Sequence, residues 1–158
     1  MTIDRDTYRA VLGRFASGVT ILTARDAAGV DHGMTVSAFC SVSLIPALVL
    51  ACVDHGADTH GVLSQAHRVG FSILSSSQEP LSRRFAEEES NRFAGIGFSR
   101  GESGVALIDD ALAHLECVVR ERHVAGDHTI FVCEVDRATP LDGRPLLYYR
   151  GGYAQLER

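Results

Sequence analysis

Two long β-rich runs, residues 111–123 (ALAHLECVVRERH) and 128–138 (HTIFVCEVDRA), are separated only by Val124-Ala125-Gly126-Asp127. A link that short joins antiparallel neighbours, because a parallel pair needs a crossover of about a dozen residues or more. The same arrangement occurs earlier. Residues 19–24 (VTILTA) are β-rich, the turn cluster DAAGVD follows at 26–31, and HGMTVSAF resumes an extended pattern. Hairpins of this kind favour an antiparallel, mainly β fold over a sheet wound with crossover helices.

The remaining segments agree. Pro46 precedes ALVLACV (47–53), a continuous apolar run that predicts a strand buried on both faces. Residues 69–74 (VGFSIL) predict another strand, and 146–149 a last short one. Helical spacing is confined to short pieces. Tyr8, Val11, Leu12 and Phe15 form one stripe behind the candidate N-caps Asp4 and Asp6, and Gly18 ends that helix. Residues 58–66 predict a second helix capped by Asp58 or Thr59. Residues 78–89 predict a third, with Leu81 and Phe85 on one face and Glu87-Glu88-Glu89 as a solvated end. Residues 91–104, rich in Gly, Ser and Arg, predict a loop. With six or seven strands and no repeat or linker, residues 1–158 read as one domain, an antiparallel barrel with helical insertions.

Composition narrows the function classes. The chain's 158 residues, 46% of them hydrophobic, suit one packed core. A formal net charge of -5 argues against a nucleic-acid binder. The N-terminal MTIDRDTYRA lacks the apolar region of a signal peptide, and no apolar stretch approaches the ~20 residues of a membrane span, so a cytoplasmic protein without membrane contact is expected. Cys40, Cys52, Cys117 and Cys133 form no C-x-x-C pair and read as small buried hydrophobes.

Standard catalytic signatures are missing. Gly95-Ile96-Gly97-Phe98-Ser99-Arg100 lacks the third glycine and the strand–helix setting of a dinucleotide fingerprint. No phosphate loop of the G-x-x-x-x-G-K type occurs, and the glycines around Ser103 are misplaced for a nucleophile elbow. His55 and His60, five apart near Asp54 and Asp58, do not match helical metal-ligand spacing, so no metal site is expected. Arg83 and Arg84 can pair with Glu87-Glu88-Glu89 or reach a phosphate.

One stretch stands out. In HGMTVSAFCSVSLIP (32–46), Thr35, Ser37, Ser41 and Ser43 fall at odd positions and share a face if the chain stays extended, opposite Met34, Val36, Ala38 and Val42. An ordinary exposed strand accounts for this pattern. So does a shelf of short hydroxyls and backbone amides that bonds a phosphate or the polar edge of a flat heterocycle.

The chain resembles the flavin reductase-like family, the small reductase partners of two-component flavin-dependent monooxygenases. The resemblance is carried by FASGVTILTA (15–24), GMTVSAFCSVSLIP (33–46), LVLACV (48–53), RRFA (83–86), RFAG (92–95), GDHTIFVCEV (126–135) and PLLYYRGGY (145–153), in order along the chain. It implies a Greek-key antiparallel split β-barrel that binds FMN or FAD, usually a homodimer with flavin near the subunit interface. It further implies that Thr35, Val36, Ser37 and Ala38 contact the isoalloxazine and ribityl chain, and that Ser41, Val42 and Ser43 border the ring and phosphate. Cys52, Val53, Asp54 and Thr59 would line the same pocket, and Phe85 with Arg92 or Arg84 would hold the phosphate end. His128 would sit beside the nicotinamide of NADH or NADPH, with Tyr153 near the entrance. Two positions depart from the family's pattern: Ser43-Leu44-Ile45-Pro46-Ala47 replaces the more frequent S-L-D-P-P, and Cys133 stands where Gly is common.

The implied reaction is hydride transfer from nicotinamide to flavin, a demand on geometry rather than on an acid or base, consistent with the lack of a catalytic cluster. Reduced flavin would serve a partner oxygenase. Two other readings stay open: a split-barrel protein that holds flavin or haem without turnover, and an oxidase acting on a bound amine such as a pyridoxal precursor.

Overall fold

The computed structural model describes residues 2–87 and 91–157. Among the described residues, twelve strands and three α-helices follow one another: α1 (Arg5–Leu12), β1 (Ser17–Gly18), β2 (Thr20–Arg25), β3 (Asp31–Val36), β4 (Phe39–Leu44), β5 (Ala47–Asp54), α2 (His60–Gln65), β6 (Arg68–Ile73), α3 (Glu79–Ala86), β7 (Phe98–Arg100), β8 (Ala106–Ile108), β9 (Ala113–Ala125), β10 (His128–Pro140), β11 (Leu147–Tyr149) and β12 (Gly152–Ala154). All strand pairings are antiparallel. Seven strands form one sheet in the order β3-β2-β6-β9-β10-β5-β4; β1-β11-β12 and β7-β8 form two small ones.

The order of the large sheet fixes its shape. Its two edge strands, β3 and β4, are consecutive in the chain and linked only by Ser37 and Ala38. In a flat sheet, strands spaced ~4.8 Å would put those edges about 29 Å apart, whereas the linker from Val36 to Phe39 reaches about 11 Å. The sheet therefore curls, bringing its two edges towards each other. The Cys52 amide of β5 donates to the Ala38 carbonyl at 3.0 Å, continuing the β4–β5 ladder by one rung into the linker.

Inside the curl lies the main core, with Leu22, Val36, Ala51, Val53, Phe71, Phe131 and Cys133 closed at one end by Leu63 of α2. A second cluster, Ile21, Leu74, Phe85, Ile108 and Leu146, lies outside the sheet beneath α3. β2 feeds both, so Thr20–Ala24 are all buried. The buried hydroxyls of that strand are satisfied, Thr20 by the Val36 carbonyl (2.8 Å) and Thr23 by the Ala106 carbonyl (2.6 Å). The β2–β3 turn is built by Asp26, whose Oδ1 accepts from the amides of Ala28 and Val30, with Gly29 at φ 81°.

Several expectations are corrected. The run 32–46 is two strands, with alternation broken at Ser37-Ala38 and again by a bulge between Ser41 and Ser43. Its hydroxyls therefore do not share one face. The segment 47–53 alternates: Val49, Ala51 and Val53 are buried, while Leu48, Leu50 and Cys52 are half-buried. The Gly- and Ser-rich loop contains the β7–β8 hairpin. Cys117 and Cys133 are buried, but Cys52 is only partly so and Cys40 is exposed; all four are free thiols. α1 forms behind Asp4, whose carboxylate accepts from the Thr7 amide at 2.9 Å, yet its stripe of Tyr8, Val11 and Leu12, with Phe15 beyond, stays exposed. Thr59 is the N-cap residue of α2 but makes no side-chain cap bond. α3 ends at Ala86; of the expected acidic end, Glu88 and Glu89 lie outside the described residues.

Candidate functional site

Strand register places the first group of candidate residues in one row. His128 lies opposite Asp54 and Ile130 opposite Cys52, so these four side chains share the face of β5 and β10 that points away from the core. Cys52 is in turn bonded to Ala38, the residue ahead of edge strand β4. Together they floor a cleft of about 640 Å³, with Ile3 and the α1 residues Arg5, Tyr8 and Arg9 as a further wall. The floor is low because Ala38 and Cys52 are small. A planar ring can lie on such a surface, and the volume falls within the ~300–1,000 Å³ usual for small-molecule sites.

The rim of this cleft carries charge of both signs. His128 opens β10, and its Nδ1 is 2.7 Å from Asp127 Oδ1. The His128 hydrogen bond and charge hold the Asp127 carboxyl below the ordinary carboxylate range. Asp54 turns its Oδ1 back to the Gly56 amide at 2.7 Å. Burial, aided by the nearby Cys40, raises the pKa of the Cys52 thiol.

Beneath the rim sits a pair of histidines. His55 Nε2 and His60 Nε2 approach the same buried hydroxyl, Thr129 Oγ1, at 3.0 and 2.9 Å. The His55 amide also donates to the Asp127 carbonyl at 2.9 Å. These bonds tie the end of β5 to the start of β10, where His128 stands.

The other candidate residues are placed elsewhere. Ser37 is exposed beside Ala38, and Ser41, Val42 and Ser43 continue along edge strand β4, outside the cleft lining. Val36, Val53 and Phe85 are core side chains. Thr35 donates to the Ser82 carbonyl at 2.6 Å, and the Ser82 hydroxyl is 2.7 Å from Tyr153 Oη, so Thr35 and Tyr153 meet at α3. Arg92 is buried and ion-paired with Asp58 at 3.0 Å; it also bonds the Gly33 carbonyl (2.9 Å), the Thr59 hydroxyl (3.3 Å) and the Glu87 carbonyl. Burial opposes ionisation of Asp58, but the Arg92 and Thr59 hydrogen bonds and the Arg92 charge outweigh it and lower its pKa. Arg92 and Thr59 are thus part of a knot that pins α2 to β3, beside a second cleft of about 390 Å³. Arg84 donates to the carbonyls of Asn91 (3.0 Å) and Ala94 (2.7 Å).

The wall supplied by α1 was not among the candidate residues. Its signal was present: Arg5 and Arg9 are four apart and share a helix face. No group of three or more His, Cys, Asp and Glu side chains placed to hold a metal occurs among the described residues, and no described helix is long and apolar enough to cross a membrane.

Residues 12–157 match the family described as the flavin reductase like domain. An NADH-dependent flavin reductase of a Rhodococcus species is 43% identical over 155 residues, covering 94% of this chain and 85% of that protein. The reductase component of a 4-nitrophenol 4-monooxygenase/4-nitrocatechol 2-monooxygenase from Rhodococcus opacus is 38% identical over 154 residues, covering 98% and 82%. Among solved structures, an NADH:FAD oxidoreductase of Streptomyces globisporus, in complex with NAD and FAD fragments, superposes with a TM-score of 0.93 at 37% identity, covering 98% of this chain and 93% of that one.

Proposed function

From the premise that this chain belongs to the flavin reductase-like family, we propose that it is an NADH-dependent flavin reductase whose product, reduced FMN or FAD, serves a separate oxygenase component. The observation that carries this reading is the low-floored cleft in which Ala38, Cys52 and Ile130 lie beside His128 and Asp54. The flavin and the nicotinamide together supply the hydride chemistry. The chain's own residues supply placement. Ala38 and Cys52 leave space for a flat ring, Ile130 and Tyr8 offer apolar surface, and His128 orients the nicotinamide amide or a phosphate. Ser37, exposed at the join of β3 and β4, offers a hydroxyl to the ring's polar edge. Val53 supports the floor from the core, Phe85 packs beneath α3, and Ser82 of α3 is tied to β3 through Thr35 and to β12 through Tyr153. Hydride transfer needs close parallel rings at about 3–3.5 Å, so rigid placement is the protein's main contribution.

The curled sheet is read as the split barrel of this family. Its exposed apolar groups support a homodimer: Phe15 (82% exposed), Leu44 (86%) and Ile45 (90%) are costly to leave in water, with Val42 and the α1 stripe adding to them. In that dimer Ser41, Val42 and Ser43 of β4 would meet flavin at the subunit junction. The site of action is the cytoplasm. The steady-state rate of NADH oxidation with added FMN or FAD tests the activity. A tight yellow complex that leaves NADH unoxidised would favour a flavin carrier instead.

A further inference from the structure

The arginines first considered for a phosphate are committed elsewhere. Arg92 is held by Asp58 and by carbonyls, and Arg84 donates to two carbonyls. A different trio converges at the far end of α1. Arg9, Arg14 and Arg150 surround Gly13 and Gly151 in a cleft of about 350 Å³ with no carboxylate in its lining. Among the described residues, none of the three makes an ion pair or a side-chain hydrogen bond. By contrast, Arg25, Arg68, Arg83, Arg92, Arg100, Arg120 and Arg137 all pair with acids.

The trio is positioned by backbone, not by counter-charge. The chain leaves α1 through Gly13, whose carbonyl accepts from the Arg150 amide at 2.8 Å, and Arg150 is held at φ 52° in the β11–β12 turn. The carbonyl end of a helix attracts one cation. Three guanidiniums around one small cleft exceed that need, and their mutual repulsion is relieved by a bound anion. Guanidinium groups suit phosphoryl oxygens in particular, because their forked donors match them two at a time. Arg9 also lines the larger cleft that holds His128, so the two clefts share a wall.

We infer that Arg9, Arg14 and Arg150 form an anion subsite for the phosphate groups of a nucleotide whose ring end lies in the His128 cleft. The inference rests on the flavin-reductase reading for the identity of that nucleotide, which is either the flavin or the nicotinamide cofactor. The chemistry recognised is the same in both cases, a phosphate ester or pyrophosphate. Arg9 spans the two clefts and sets the distance between ring and phosphate.

The test compares ligands with and without phosphate. Arg14→Gln and Arg150→Asn remove charge, and Asn tolerates the left-handed backbone at position 150. Arg14→Lys and Arg150→Lys retain the charge, and circular dichroism confirms that each variant is folded. Affinities for FMN and riboflavin, and KM values for NADH and reduced nicotinamide riboside, are measured for each. Loss of one charge-assisted contact weakens the phosphate-bearing ligand by about tenfold while its phosphate-free counterpart changes by less than about twofold. The Lys variants restore most of that loss. A selective loss for FMN assigns the subsite to the flavin, and a selective loss for NADH assigns it to the nicotinamide cofactor. Equal changes within each pair, or no change in either, would overturn the proposal. Calorimetry with inorganic pyrophosphate separates this outcome from failure of the wider reading. If the wild type binds pyrophosphate and the variants do not, the subsite stands even where NADH is not oxidised.

Discussion

Thr129→Val isolates the bonds that hold the His128 end of the cleft. A hydroxyl has one proton and two lone pairs, so Thr129 donates to one histidine ring and accepts from the other. Valine keeps the shape and suits a strand, so the backbone is undisturbed. The change removes contacts of 3.0 and 2.9 Å at a site 5% exposed. Each lost bond costs about 0.5–1.5 kcal/mol. His55 is exposed and rehydrates, whereas half-buried His60 keeps part of its penalty, giving about 2 kcal/mol in all. At this chain length each 1 kcal/mol moves the melting midpoint by about 2–4 °C, so a fall of roughly 4–8 °C is expected. Because His128 is the next residue, the KM for NADH rises several-fold while flavin affinity changes little, and Thr129→Ser recovers both values. Differential scanning calorimetry and steady-state kinetics provide the two readouts. A valine variant with wild-type melting and wild-type KM would show that the His55–Thr129–His60 bonds position nothing.

Arg92→Met removes a 9%-exposed guanidinium that bonds Gly33, Thr59 and Glu87 and pairs with Asp58. A loss of about 3 kcal/mol, or roughly 6–12 °C in melting midpoint, is expected by calorimetry. Glu116 sets an acid limit. Burial opposes its ionisation, but the Ser103 hydroxyl and the amides of Ser103 (2.7 Å) and Glu102 (3.2 Å) outweigh it and lower its pKa from 4.5. Its stabilisation is therefore complete above that value and is lost as pH falls through the lower folded pKa. Glu116→Gln flattens the melting-versus-pH curve in that acid window, as thermal scans at stepped pH will show. Ala38→Phe raises the cleft floor and weakens flavin binding by more than about tenfold in fluorescence titration, with melting unchanged because residue 38 is exposed.

The hairpins β2–β3 and β9–β10 were legible because alternation and turn residues are local signals. The break at Ser37-Ala38 was not. It arises because β3 pairs with β2 while β4 pairs with β5 at the opposite edge, a long-range choice that leaves little local trace. The β7–β8 hairpin was hidden for a related reason. Its strands have three residues each, and the loop between them is gathered by the distant Glu116 carboxylate. An apolar run at 47–53 gave the strand correctly but not the exposure of its outer face, since periodicity does not reveal what covers a surface. Within the site, Ala38, Cys52, Asp54 and His128 were singled out in advance, and register brings them together. The burial of Arg92 and the wall formed by Arg5 and Arg9 depend on packing between distant segments, which the residue pattern alone does not specify.

Anaerobic titration of the protein and FMN with NADH tests the central claim most directly. The account predicts that the visible flavin band bleaches in step with each equivalent of NADH consumed, and that admitted oxygen restores it. A bound flavin whose spectrum stays oxidised in excess NADH would contradict it.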